Sequence, residues 1–115
     1  MSVEKSYDLS FLNKISGSDE SFIHEMINTF KQVAPEYINK AQSYQSSGAI
    51  DALSKETHRF IPGVSFIGAK LLEEDLLKIE EYTKKSINLE LIPDLIDSVS
   101  FKISVLLNEF ERDFS

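Results

Sequence analysis

Residues 92–110 read Ile92-Pro93-Asp94-Leu95-Ile96-Asp97-Ser98-Val99-Ser100-Phe101-Lys102-Ile103-Ser104-Val105-Leu106-Leu107-Asn108-Glu109-Phe110. Leu95, Ile96, Val99, Ile103, Leu106, Leu107 and Phe110 recur three and four positions apart, which is the spacing of one face of an α-helix. Pro93 suits the first turn, where a backbone N–H has no helical partner anyway. The rest of the chain shows the same period, and no segment alternates with the period of two, rich in Val, Ile and Thr, that a sheet needs. The fold class is therefore all-α.

Toward the N-terminus, a helix from about Ala69 to Lys84 turns Leu72, Leu76, Ile79 and Tyr82 inward and Glu73, Glu74, Lys78 and Glu81 outward, with Lys85 to Leu91 as the following loop. Before it, a helix from about Ala49 to Ile67 carries Leu53, Thr57, Phe60, Val64 and Ile67 on its inner face. A longer helix from Asp19 to the Ser46-Ser47-Gly48 stop holds Phe22, Ile23, Met26, Ile27, Phe30, Val33, Tyr37, Ile38 and Tyr44. Pro35 interrupts its hydrogen bonding, but the apolar stripe resumes in phase, which predicts a bend rather than a break. A short first helix from Asp8 to Ile15, with Leu9, Leu12 and Ile15 on one face, ends at Gly17, and Ser18-Asp19-Glu20 starts the next. Short connections favour antiparallel neighbours, so the expected architecture is an antiparallel four-helix bundle with a short additional N-terminal helix. Residues 1–115 are read as one domain, with Met1 to Ser6 expected to fray.

Composition narrows the function. The chain has 115 residues, 42% hydrophobic and 27% charged, and no Cys, which excludes disulfides, a thiol nucleophile and Cys-based metal sites. With no basic-then-apolar leader and no apolar run of about 20 residues, neither export nor membrane insertion is expected, and the cytoplasm is the expected compartment. The net charge of -7 and the lack of a Lys/Arg cluster argue against nucleic acid as a partner. No heptad seam marks a dimer, so a monomer is expected.

The chemistry concentrates on the helix that carries His58. Ser54, His58, Ile61, Ser65 and Gly68 form a stripe opposite Leu53, Phe60, Val64 and Ile67, with one imidazole among mostly small neighbours. Pro62, Gly63 and Gly68 all disfavour helix, which suggests close approach by another backbone, either from a partner protein or from the following helix. Pro62 also deprives the His58 carbonyl of its usual donor, so a bend is expected at the histidine. A neutral imidazole is a competent nucleophile near neutral pH and can take a phosphoryl group from an acyl phosphate.

The segment Thr57-His58-Arg59-Phe60-Ile61-Pro62-Gly63-Val64-Ser65-Phe66-Ile67-Gly68-Ala69 resembles the phosphorylation motif of histidine-containing phosphotransfer domains. Tyr7-Asp8-Leu9-Ser10-Phe11-Leu12, the Ser18-Asp19-Glu20 helix start, the Phe30 to Pro35 stretch and the Leu71 to Glu80 run are also similar to that family in order and spacing, so the resemblance spans about Tyr7 to Phe110. It implies a four-helix bundle that is a phosphocarrier rather than an enzyme, with His58 as phosphoacceptor. Its partners would be receiver domains of response regulators or hybrid kinases, with no cofactor of its own and Mg2+ on the receiver. Gly68 matches the glycine that the family places ten residues after its histidine.

Many members have lysine three residues after the histidine and glycine next, whereas this chain has Ile61 and Pro62. A cation about 4 Å from a phosphoryl charge is worth ~1 kcal/mol in water and ~4 kcal/mol at an effective dielectric of 20. Its loss slows transfer or destabilises the phosphorylated form unless Lys55, one turn earlier, or Arg59 replaces it; helical spacing favours Lys55. Ile61, Ser65 and Gly68, with Phe11, Phe22 or Ile23, are the expected docking residues.

Three other readings compete with phosphotransfer. A receiver-docking module that transfers weakly or not at all would use the same surface. A helical adaptor with an incidental, buried His58 is distinguished by geometry. A carboxylate-bridged metal site fails on spacing, because Ser21 and Lys55 stand where its Glu-x-x-His pairs would need Glu. His24, among Glu25, Asn28 and Lys31, is expected to be simply solvent-exposed.

Overall fold

Helix boundaries follow from capping chemistry. The computed structural model describes residues 5–114. Asp19 stands just before the longest helix and accepts hydrogen bonds from the backbone N–H groups of Ser21 and Phe22, satisfying donors that the helix leaves free. The described elements are α1 (Ser10–Ser16), α2 (Glu20–Ser47), α3 (Ile50–Phe66), α4 (Lys70–Lys85), a 3₁₀ turn at Leu89–Leu91 and α5 (Ile92–Phe114), with no strand among the described residues. α2 packs on α3, α3 on α4, α4 on α5, and α5 back on α2, closing a four-helix bundle that α1 caps at one end. Neither Pro35 nor Pro62 interrupts its helix. No helix of the described residues is long and apolar enough to cross a membrane.

One contiguous core fills the bundle, from Leu12 of α1 through Ile27, Leu53, Val64, Leu76 and Ile79 to Leu106 and Phe110. Full burial of each such side chain contributes about 1.5–3 kcal/mol, so the core supplies the main drive for assembly. A column of rings crosses it: Tyr37 stacks on Phe60 at 4.6 Å between centroids, and Phe60 on Phe30 at 5.9 Å. Phe30 meets Phe110 edge-on at 5.9 Å, and Phe110 meets Tyr7 at 4.7 Å. The Tyr37 hydroxyl sits 2.7 Å from the buried Thr57 hydroxyl, so each polar group is satisfied inside the core.

Two expected inward residues lie elsewhere, and one docking candidate lies inside. Val33 and Ile15 face solvent, because α2 gives its buried line to Phe30, Ala34 and Tyr37, and α1 reaches the bundle only through Leu12 and partly through Leu9. Ile23, expected on the inward stripe and also considered for docking, belongs to the core.

Part of the N-terminal stretch expected to fray, residues 1–4, lies outside the described residues. The remainder is tied down. The Ser6 N–H donates to the buried Glu109 carboxylate at 2.9 Å, and the Tyr7 hydroxyl donates to Asp113 at 2.5 Å. Hydrogen bonds from Arg112, Tyr7 and Lys5 hold the Asp113 carboxyl well below the usual carboxylate range. The Asp8 N–H donates to the Ile67 carbonyl at 3.0 Å, so this strap crosses the α3–α4 turn.

That turn is a Schellman motif. The Gly68 N–H bonds the Ser65 carbonyl at 3.0 Å and the Ala69 N–H bonds that of Val64 at 3.3 Å, with Gly68 left-handed at φ 65°. A Cβ on Gly68 would overlap the carbonyl oxygen of Asp8, whereas one on Gly63 would meet nothing within 4 Å. The close approach expected at Gly68 is therefore made by this chain's own N-terminal strap and not by α4, and the residue lies just beyond α3 instead of inside it.

Gly68→Ala is expected to lower unfolding stability by about 2–3 kcal/mol, combining the left-handed penalty with loss of the strap contact. Gly63→Ala is expected to raise it by about 1 kcal/mol, and urea titrations of both variants check the opposite signs. Burial pushes the Tyr37 hydroxyl up to about 12 from its ordinary 10, so the unfolded chain ionises first and stability falls as pH rises through that interval. Tyr37→Phe is expected to cost ~1 kcal/mol at pH 8, with the gap to wild type narrowing at pH 11 in the same titrations.

Candidate functional site

Thr57 is locked into the core by Tyr37, and the next residue on a helix points roughly 100° further round, so His58 is turned outward. Its side chain is 72% exposed. The ring is nevertheless held: Nδ1 lies 2.5 Å from Oε2 of Glu80 on α4, a carboxylate only 15% exposed. An ionised carboxylate can only accept, so Nδ1 carries the proton, and in the neutral ring Nε2 holds the lone pair, with no hydrogen-bond partner among the described residues.

The bond belongs to a longer seam. Because α3 and α4 run antiparallel from the Ile67-Gly68-Ala69 turn, Ser65 donates to Glu73, His58 pairs with Glu80, and Ser54 comes opposite Lys84 one turn further on. The same register sets Ile61 opposite Leu77. Ile61 is half-buried against the core, and Leu77 is exposed. Ser54, Lys55, His58, Arg59, Glu80 and Lys84 line a shallow groove of about 230 Å³ around the ring.

The residues expected at the site divide accordingly. Lys55 and Arg59 share the groove with His58, but the Arg59 guanidinium is engaged by Glu56 at 3.0 Å, one turn back on α3. Ser65 is exposed two turns from the histidine, tied to Glu73. Phe11 is exposed and stacks at 5.6 Å on Phe66, also exposed, forming an apolar step beyond the end of α3. Phe22 is half-buried on α2, and neither it nor Gly68 lines the groove. His24 is exposed as expected, with its ring edge-on to Phe114 at 5.4 Å.

Sequence reasoning missed Glu80 and Lys84. Both stand on the outward side of α4, and only pairing α3 with α4 from their short turn would have drawn them out. The described residues include no group of three His, Asp or Glu side chains able to hold a metal ion. A second groove, about 610 Å³ and edged by Leu71 and Phe101, takes no residue from α3 and is a separate surface. Comparison with protein-family models, curated proteins and solved structures returns no match.

In the folded protein above neutral pH, the neutral His58 ring is expected mainly as the Nδ1–H tautomer, while His24 serves as the free reference. Long-range proton–nitrogen NMR correlations report the ratio, and Glu80→Ala should move His58 toward the His24 pattern. Identical patterns for the two rings in wild type would show that the Glu80 bond does not persist in solution.

Proposed function

We propose that this protein is a histidine phosphotransfer domain that carries a phosphoryl group on His58 between receiver-domain aspartates of a multistep phosphorelay. The observation that carries the reading is an exposed imidazole whose Nδ1 is committed to Glu80, leaving Nε2 as an outward nucleophile. A buried ring bonded to core groups would have favoured an unrelated helical adaptor, and His58 has neither property.

The chemistry follows from the tautomer. The Nε2 lone pair attacks phosphorus in line, the bond from phosphorus to the aspartyl oxygen breaks, and the aspartate leaves as carboxylate with the bonding pair. Nδ1 keeps its proton, so the phosphorylated ring is formally cationic, and the Glu80 carboxylate balances it. A charged ring is a good leaving group, which suits a carrier that must give the phosphoryl group up again. Mg2+ would sit on the receiver, and a cytoplasmic setting accompanies this reading.

The apolar side of the seam supplies a docking surface. Ile61 and Leu77 beside the histidine, continuing to Phe66 and Phe11, offer contact area to a partner's apolar helix face. Ile61 in place of a cation also supports the second reading, a module that docks receivers with little transfer.

Incubation with a phosphorylated receiver domain and Mg2+ separates the two. Phosphotransfer predicts an acid-labile, base-stable phosphate at Nε2 of His58 that His58→Gln abolishes. A receiver that binds but leaves His58 unlabelled would establish the docking module instead.

A further inference from the structure

The position three residues after the histidine carries no charge here, yet the groove around His58 is not short of cations. Lys55 lies one turn before it on α3, and Lys84 lies one turn beyond Glu80 on α4, opposite Ser54 in the antiparallel register. Among the described residues neither lysine forms a salt bridge, whereas Arg59 is taken by Glu56 and Lys85 by Glu81. The seam is thus cationic on one side of the imidazole and apolar, through Ile61 and Leu77, on the other.

We propose that Lys84, with Lys55, binds the phosphoryl group on His58, so that the countercharge comes from the α4 side and from the turn before the histidine rather than the turn after it. The inference rests on the phosphotransfer reading and deepens it. The aliphatic stem of each lysine spans one helical turn, and both ammonium groups are exposed enough to swing over Nε2. Lys84 also stands in the last turn of α4, where the partial negative charge of the helix end holds a cation in place. Glu80 lies between Lys84 and the ring, and a phosphoryl dianion on Nε2 would outbid its single charge, which already faces Nδ1.

Phosphoramidate tests this without a receiver. In N-protonated phosphoramidate the Nε2 lone pair attacks phosphorus, the P–N bond breaks, and ammonia leaves with the bonding pair and the three protons already on it, while Nδ1 keeps its proton. With the full chain, mass spectrometry follows labelling at His58, and His24 serves as internal reference. Lys84→Ala and Lys55→Ala are each expected to slow His58 labelling about fivefold, with Lys84→Glu slower still. Lys84→Arg is expected to restore the rate to within about twofold of wild type, because either cation suffices. Lys78→Ala, outside the groove, should leave it unchanged, as should all variants the His24 rate and the thermal unfolding midpoint.

Added salt should slow wild type and leave Lys55→Ala/Lys84→Ala nearly unaffected, a signature that a purely structural role would not produce. Normal His58 labelling in Lys84→Ala, or no rescue by arginine, would overturn the assignment of Lys84 while leaving the phosphocarrier intact. Failure of wild-type His58 to label faster than His24 would overturn the phosphotransfer reading and this inference together.

Discussion

The hydrogen bond between His58 and Glu80 exists only because α3 and α4 are held in one register, and that register begins at Gly68. Its left-handed backbone lets the chain reverse within three residues, and its missing Cβ lets the Asp8 carbonyl lie against it. The strap from Ser6 to Asp8 then crosses the turn and is anchored on α5 through Glu109 and Asp113. A wider turn would shift α4 along α3 and leave the imidazole facing a different side chain. The glycine whose sequence reading left open close approach by a partner or by the following helix is thus a structural key to the site.

The site combines exposure with order. An exposed histidine on a helix samples several rotamers and both tautomers, and a nucleophile in that condition is available only part of the time. Here the fixed part is below: Thr57 bonds Tyr37 inside an aromatic column, which sets the rotation of α3. Glu80, mostly covered, holds one nitrogen and leaves the other outward. The uncovered nitrogen is Nε2, and the contacts that restrain the ring lie on the core side.

Capping explains why so much of the fold was legible. Gly17, Asp19, Gly48 and Pro93 each stand where helix-end chemistry requires, and α1 to α4 run within two residues of the expected limits, while α5 starts at Ile92 as expected and continues to Phe114; α1 starts two residues late because Asp8 caps Ser10 instead of joining the helix. Periodicity failed at Ile15 and Val33 for a definable reason. It identifies an apolar face but not how wide a face the neighbours cover, and α1 meets the bundle along a single line while α2 buries the small Ala34 and Ala41. Small residues carry little hydrophobic signal, yet they allow helices to approach closely.

By itself the sequence determined the all-α class, the helix order, His58 as the outward nucleophile candidate and the absence of a cation at position 61. Each of these is local, readable from the 3.6-residue period and from residue chemistry within one or two turns. The tertiary structure alone decided which carboxylate orients the ring, that Lys84 joins Lys55 beside it, that Arg59 is diverted to Glu56 and that Gly68 serves the N-terminal strap. Most of those relations join different elements, His58 and Glu80 being 22 positions apart, and their partners depend on how helices align across a turn. No period within one helix encodes that alignment; it is set where a short turn and close backbone packing leave a single arrangement without overlap.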